Sequence, residues 1–384
     1  MTRSFALRSF IFLVLAASWA FAAVRPSFRL DYSSWHATDI VEVTPLSDGG
    51  KFQVLESWKG DLVPGAPISV PELKPAADSR PIDECVKAGL STPFGNTCTS
   101  VPIVSPGTKL VLYLGDFEKP ATPGKWTPSD TMGDMKASVV WIDNGDAYSF
   151  VQIFNPGGSV FVQAPYITKL SGGSERVERL TEASLKQNTL NVLNVQQQID
   201  QAIAIQDLKA RAEALTSFAD SKIFPASRFV LQQLGKCGEA AVPTIRSMLD
   251  DPKFAKIASD LVEQYANAGG AAAGPELASR FEADIRYWQA VGPTLPAGWW
   301  NRIDEHGIWA DAHGYRDHYS QTIALIRALD KIGYRPALPT AIQLRDFWRS
   351  WQQLNDPSGL NAMANEADQL IKHLQSLSSD VGER

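Results

Sequence analysis

Residues 234–249 read LGKCGEAAVPTIRSML, and this stretch predicts the architecture of the C-terminal half of the chain. Two glycines, a run of small residues and a proline come before an apolar stripe formed by Val242, Ile245, Met248 and Leu249. Apolar residues three and four apart lie on one face of a helix. Glycine permits a tight turn, and proline fits the first turn of a helix because no helical hydrogen bond is lost there. The stretch therefore predicts a glycine turn followed by a helix.

The residues before this stretch also have a helical pattern. Leu208, Ala212, Leu215 and Phe218 recur at intervals of three and four and predict one helix. In PASRFVLQQLG, Val230 and Leu234 are one turn apart, and these residues predict a second helix that ends at Gly235, since glycine commonly terminates helices.

The same order of residues recurs twice further along the chain. Pro275 lies 32 residues after Pro243, and Pro339 takes the same place in a third copy that has one extra residue in its turn. Cys237 occupies the position that Ile332 fills in the third copy, so we expect its side chain to be buried. Repeated helix pairs cannot bury their apolar faces alone and must stack on one another.

The recurring string L-x-x-x-G-x-x-A-x-P resembles the HEAT repeat, a unit of two antiparallel helices. The resemblance covers residues 196–373 and implies an α-solenoid, a fold that commonly binds proteins and peptides. An irregular helical bundle is the alternative fold for this region.

The N-terminal half has a different pattern, with short apolar stretches separated by turn residues. Turns are predicted at 47–50, 63–65, 143–145 and 155–158, where Gly, Pro, Asn and Asp cluster. Asp143-Asn144-Gly145 is typical of a tight hairpin. Seven stretches are predicted to be strands, namely DIVEVTPL, KFQVLESWKG, APISVPEL, TKLVLYLGDF, SVVWI, AYSFVQIF and SVFVQA. TKLVLYLGDF is apolar enough to be buried on both faces. We expect a small closed or sandwiched β module.

One part of this half resembles a known module. IVEV, then FQVLESWKG with Trp58, Lys59 and Gly60, then a loop with two cysteines, then GTKLVLYL are similar to the netrin-like module of tissue inhibitors of metalloproteinases. The likeness covers residues 37–117 and implies an OB-type antiparallel β-barrel. Those inhibitors chelate zinc through an N-terminal cysteine, whereas the mature chain predicted here would begin at Ala23. Protease inhibition is therefore not expected.

The first 22 residues indicate export. Arg3 and Arg8 precede an apolar run that ends in Ala20-Phe21-Ala22, which is typical of a signal peptide cleaved near Ala22. The apolar run is shorter than the roughly 20 residues of a membrane-spanning helix, so no membrane insertion is predicted. We expect a secreted or periplasmic protein. In that oxidising setting, Cys85 and Cys98 are predicted to form a disulfide worth about 3 kcal/mol.

The net charge of −6 excludes one class of partner. The chain has 36 basic and 42 acidic residues, and removal of the leader takes away two arginines. A nucleic-acid-binding protein needs a basic surface to neutralise phosphates, so no nucleic-acid partner is expected.

Residues 292–320 depart from the repeat pattern and hold the candidate site residues. Insertions into solenoids often lie on the binding face. Three interpretations are open: a transition-metal site, an aromatic groove for a small ligand, or aromatic side chains that fill the core. The metal candidates are His306, His313, His318 and Asp317, and the ligand candidates are Trp299, Trp300, Trp309, Asp311 and Tyr315. Glu282 and Asp284 lie two residues apart on a predicted helix and are expected to be surface charges.

These observations predict an α+β protein with a signal peptide at 1–22 and a netrin-like β-barrel domain at 30–168. A linker and first helix at 169–195, a HEAT-like helical domain at 196–373 and a polar tail at 374–384 follow. The predicted function is non-enzymatic: the helical repeats present a surface to a protein or peptide partner, and no catalytic residue or cofactor is assigned. The alternative is a metal-dependent enzyme or small-ligand binder centred on 292–320.

Overall fold

The chain forms two compact units of different secondary structure, and the α+β class is confirmed. The first unit comprises Met1–Gln198 and Lys222–Ala226, and the second comprises Ile199–Ser221 and Ser227–Arg384. The computed structural model describes residues 24–26, 28–46, 50–70, 98–99, 109–115, 139–155, 158–164, 167–171, 174–295, 315–355 and 361–379. The predicted signal peptide at 1–22 lies outside these residues, as does Cys85 and with it the predicted disulfide to Cys98.

The first unit is built on a mainly antiparallel sheet. Its strands, with a separate hairpin at the end, are β1 (Val24–Pro26), β2 (Asp39–Pro45), β3 (Lys51–Lys59), β4 (Pro67–Ser69), β5 (Cys98–Thr99), β6 (Lys109–Leu114), β7 (Val139–Asp143), β8 (Asp146–Asn155), β9 (Gly158–Ala164), β10 (Ile167–Ser171) and β11 (Ser174–Glu178). The order in the sheet is β4-β3-β2-β6-β7-β8-β9-β5, and β1 pairs with β8 beside this path. Among the described strands, only β5 and β9 run parallel. All seven strands predicted from the sequence are present.

The predicted barrel is wrong for the described strands, which form an open sheet. A barrel closes when its two edge strands pair with each other. Here β4 pairs with β3 and β5 pairs with β9, and these edges do not meet within the described part of the chain.

Turn chemistry fixes the hairpin between β7 and β8 as predicted. Asn144 and Gly145 have φ of 50° and 81°, the left-handed values that a two-residue hairpin turn of the mirror-image type requires. Asp143 pairs with Asp146 directly across the turn. Because side chains alternate along a strand, this turn also decides which residues of β7 and β8 face each side of the sheet.

Both faces of the sheet are buried. One face carries Phe28, Ile40, Val111 and Tyr113, none of which is exposed. The other carries Val41, Val43, Phe52, Leu110 and Leu112, which are equally inaccessible. Strand β6 contributes to both faces, and this confirms the prediction made from its continuous apolar run.

Residues 169–195, predicted as a linker and first helix, are part of the first unit. They contain most of β10, the hairpin strand β11 and much of helix α2 (Glu182–Ile203). Leu185 is fully buried in the core of the sheet, and the Thr189 hydroxyl lies 2.9 Å from the buried Tyr113 hydroxyl. The Lys109 ammonium bridges Glu42 at 3.0 Å and Glu182 at 2.7 Å. Apolar packing and charge therefore dock this helix on the sheet.

The W-K-G segment at the end of β3 has a structural role. Trp58 is buried in the same core, and its indole nitrogen donates to Glu56 at 3.1 Å. Lys59 donates to the Ser34 carbonyl at 3.3 Å, which ties β3 to the short helix α1 (Leu30–His36). Gly60 has φ of 86°, and a Cβ there would lie 2.0 Å from Asp39 Oδ1. Only glycine fits this turn.

The second unit is helical. After α2 its helices are α3 (Leu208–Leu215), α4 (Phe224–Lys236), α5 (Val242–Asp250), α6 (Ala258–Gly269), α7 (Gly274–Val291), α8 (Tyr315–Ile332), α9 (Leu338–Asn355) and α10 (Asn361–Ser379). The last helix runs past the predicted domain boundary at 373 because Leu374, at 1% exposure, belongs to its buried face. Among the described helices, none combines the length and apolarity needed to cross a bilayer.

The turns after α4, α6 and α8 share one local structure. Gly238, Gly270 and Gly333 have φ of 58°, 51° and 63°, and each follows the end of its helix. A short 3₁₀ segment comes next, and each following helix has proline as its second residue. The recurring glycine and proline of the sequence thus mark recurring turns.

Helices alternate in their contacts along the chain. Helix α6 contacts α8, α8 contacts α10, and α7 contacts α9. Arg246 of α5 pairs with Glu276 of α7 at 2.9 Å. Each of these helices therefore touches the helix two further along.

Gly235 does not end α4, contrary to the prediction. The helix continues to Lys236 and the turn comes at Gly238. A Cβ on Gly235 would lie 2.2 Å from Gln264 Oε1 of α6, so this glycine lets the two helices approach each other. Cys237 is 2% exposed, which confirms its predicted place in the core.

Candidate functional site

Most of the predicted site residues fall between α7 and α8. Those outside the described residues are Trp299, Trp300, His306, Trp309, Asp311 and His313. Tyr315, Asp317 and His318 are described and lie in the first turn of α8. Asp317 is exposed, and because adjacent helical residues point about 100° apart, it does not converge with His318 on one ligand.

His318 lies in a polar cluster between α7 and α8. Its Nε2 is 3.2 Å from Oδ1 of Asp284, a distance for charge attraction, but the geometry is not that of an aligned hydrogen bond. The Tyr287 ring packs against the imidazole with 3.7 Å between centroids, and the Trp288 ring meets it edge-on at 5.5 Å. The imidazole is thus held from several sides while a quarter of its side chain stays exposed.

The hydroxyl of Thr322 completes this cluster. It donates to Asp284 Oδ2 at 2.7 Å and accepts from Trp288 Nε1 at 2.9 Å. Trp288 and Thr322 are fully buried, and Asp284 is 5% exposed. Burying a carboxylate is costly unless polar contacts compensate it, and here the Thr322 hydroxyl donates to it and the His318 imidazole lies beside it.

The prediction that Asp284 is a surface charge is wrong. It lies three residues after Phe281 and four before Trp288, and both of those side chains are fully buried. This spacing puts Asp284 on the buried face of α7. The same spacing was visible in the sequence, but its partners on α8 were not.

The tryptophans that the structure describes here fill the core. Trp288 and Trp348 are fully buried with ring centroids 5.3 Å apart, and Tyr319 and Trp351 pack edge-on against Trp348. This matches the core interpretation of the aromatic residues, but the three predicted tryptophans are different residues and lie outside the described part. Their role stays a prediction.

Metal chemistry would need further ligands beside His318. An imidazole with a carboxylate partner is a common metal ligand, and histidine can also transfer protons. Within the described residues, no group of three or more histidine, cysteine, aspartate or glutamate side chains converges on one point. The metal site predicted with His306 and His313 stays a prediction.

A second candidate site was not foreseen from the sequence. Helices α4, α6 and α8 border an open groove, named here the α6 groove after its central helix. It holds a cavity of about 570 Å³ between α6 and α8 and one of about 420 Å³ between α4 and α6. The two cavities share Asp260 and Glu263 of α6 as lining residues.

The side chains of the α6 groove are mostly polar and charged. Arg228 and Lys236 come from α4, and Arg327 and Lys331 come from α8. Burial raises the pKa of the Asp260 carboxyl, and the negative charge of Glu263 raises it further, while Arg228 lowers it. The two α6 carboxylates therefore lie close enough to repel each other.

Comparison with known proteins gives no relative for this chain. No family model, no curated protein and no solved structure matches it.

Proposed function

We propose that this chain is an exported, non-enzymatic interaction protein that binds a protein or peptide partner in the α6 groove. The observation that carries the proposal is the groove itself, an open surface bordered by three helices that joins two adjacent cavities. Small-molecule sites are mostly enclosed and apolar. This groove is open and lined by charges, which suits the side chains of a polypeptide.

The proposal includes an architecture for each unit. We propose that the helices of the second unit stack as a HEAT-like solenoid, supported by the recurring glycine turns and by contacts between alternate helices. In such a stack, alternate helices line one binding surface. The likeness of the first unit to a netrin-like module is also a proposal, and it rests on the residues of IVEV and WKG.

A peptide-library selection tests this function. Residues 23–384 would be immobilised and panned against random displayed peptides, and the enriched peptides would be measured on two variants. Ser320→Arg places a long cation in the groove, because Ser320 is exposed and lines the larger cavity. Ser247→Arg makes the same change at an exposed position on α5, outside the groove.

We expect enriched peptides that bind the wild type and Ser247→Arg equally and lose at least about tenfold in affinity on Ser320→Arg, since a bulky residue in a contact surface typically costs more than 1.4 kcal/mol. Circular dichroism would establish that both variants keep their helices. Enrichment of no peptide, or of peptides indifferent to Ser320→Arg, would refute the proposal.

A further inference from the structure

The charges of the α6 groove lie in three rows, one on each helix. Helix α4 presents the cations Arg228 and Lys236, α6 presents the anions Asp260 and Glu263, and α8 presents the cation Lys331. All five residues are exposed by surface area, although the atoms around the Asp260 carboxyl remove enough water to raise its pKa. A ligand that crosses the three helices therefore meets positive, negative and positive charge in turn.

The rows are not joined by direct ion pairs. No ion pair within 4.0 Å joins the cations of α4 or α8 to Asp260 or Glu263 in the described part of the chain. Lys331 contacts the neutral amide oxygen of Asn267. The remaining cation of the groove, Arg327, pairs with Glu366 of α10.

Other acidic residues of the same unit have cationic partners close by. Asp250 and Glu276 both contact Arg280, and Asp368 contacts Arg349. Within the described residues no cation lies in ion-pair contact with the pair on α6, although Arg228 is close enough to lower the pKa of Asp260. Charge complementarity from a ligand would supply such a contact.

The spacing of the rows matches an extended chain. Packed helices lie about 8–10 Å apart. An extended chain in the polyproline II conformation has three residues per turn and advances about 3.1 Å per residue, so every third side chain points the same way and lies about 9 Å further along. In a helical ligand the same three residues would advance only about 4.5 Å, which is too short to reach the next row.

Resting on the proposed function, we propose that the α6 groove selects an extended peptide segment in which acidic, basic and acidic residues follow at every third position. The basic side chain binds Asp260 and Glu263, and the flanking acidic side chains bind the cations of α4 and α8. The pattern reads the same in both directions, so the segment binds in either orientation.

Three synthetic peptides test this pattern by fluorescence anisotropy with the full mature chain. The first is Glu-Pro-Pro-Lys-Pro-Pro-Glu, the second exchanges Glu and Lys, and the third has the residues of the first in an order without the third-position pattern. Proline favours the polyproline II conformation, which places every third side chain on one face. Each exposed charge pair is expected to contribute about two- to fivefold, so the first peptide binds about tenfold or more tighter than the other two. Added salt weakens this preference.

Charge reversal on α6 provides a gain of function. In the double variant Asp260→Lys with Glu263→Lys, all three rows are positive, so the preference shifts to a fourth peptide, Glu-Pro-Pro-Glu-Pro-Pro-Glu. A variant that merely misfolds would bind none of the peptides and would lose its circular dichroism. The same double reversal at two exposed acidic residues outside the groove, Glu213→Lys with Glu282→Lys, leaves the original preference intact.

The outcomes separate this inference from the proposed function. If the selected peptides lose affinity on Ser320→Arg but lack the acidic, basic, acidic pattern, this inference is wrong and the proposed binding function is still supported. Equal affinity for the first three synthetic peptides also overturns the inference. A failure to select any groove-dependent peptide overturns both.

Discussion

The hydroxyl of Thr322 should matter more to stability than its methyl group. Thr322→Val has nearly the same shape but removes the donor to Asp284 and the acceptor of Trp288. Leaving a buried polar group without its partner costs about 1–3 kcal/mol, and two groups are affected. With each of the two groups costing about 1–3 kcal/mol, we expect a loss of about 2–5 kcal/mol. Thr322→Ser keeps the hydroxyl and loses one methyl group, for about 1 kcal/mol.

Hydrogen exchange followed by mass spectrometry measures this difference where it arises. The free energy of local opening would be read from peptides of α7 and α8, because a single unfolding midpoint is ambiguous in a chain of two units. A factor of ten in exchange corresponds to about 1.4 kcal/mol, so Thr322→Val accelerates exchange by about thirtyfold or more. Equal protection in the valine and serine variants would show that the cluster contributes packing and not hydrogen bonding.

Three further predictions concern the core of each unit. A Cβ on Gly274 would lie 2.1 Å from the Tyr334 ring, so Gly274→Ala destabilises the helical unit by about 1–3 kcal/mol in urea unfolding; a variant as stable as wild type would contradict the close approach. Burial raises the pKa of Glu42 despite the hydrogen bond from Lys109. The stability that protonated Glu42 contributes is therefore fully present below the ordinary pKa of the carboxyl. It is lost as the pH rises through the pKa that Glu42 has in the folded protein. Glutamine carries no charge at either pH, so Glu42→Gln should be more stable relative to wild type at pH 7 than at pH 4. The reasoning fails if the difference in urea midpoint between variant and wild type is the same at both pH values. Burial also raises the pKa of the Cys237 thiol and shields it from solvent, so a thiol reagent at pH 8 modifies it much more slowly than in urea. Labelling of Cys237, located by mass spectrometry, at a rate independent of urea would contradict its burial.

The local pattern of the sequence was sufficient to predict which strands and helices form, but not where each of them ends. The seven strands were predictable from alternation and turn residues, and the turn at Asn144 and Gly145 followed from residue chemistry alone. The end of α4 was not predictable, because a glycine can either form a turn or allow two helices to approach each other closely. Gly238 adopts a left-handed conformation, whereas Gly235 is helical and makes room for Gln264. Only the neighbouring helix distinguishes them.

The candidate sites were less predictable than the elements. Asp284 lies on a helical face shared with Phe281 and Trp288, so its burial could have been read from the spacing. Its partners His318 and Thr322 follow more than thirty residues later and are brought to it only by the packing of α8 on α7. The α6 groove had no sequence signal, because its charges are spread over three helices that each read as an ordinary solvated face.

The sequence by itself determined the α+β class, the strands and the repeated glycine and proline of the helical turns, because these depend on periodicity and on the backbone preferences of single residues. The tertiary structure decided that the described sheet is open, that Asp284 is buried, and that three rows of charge border one groove. These features depend on contacts between residues distant in the sequence, and such contacts exist only once the elements have packed.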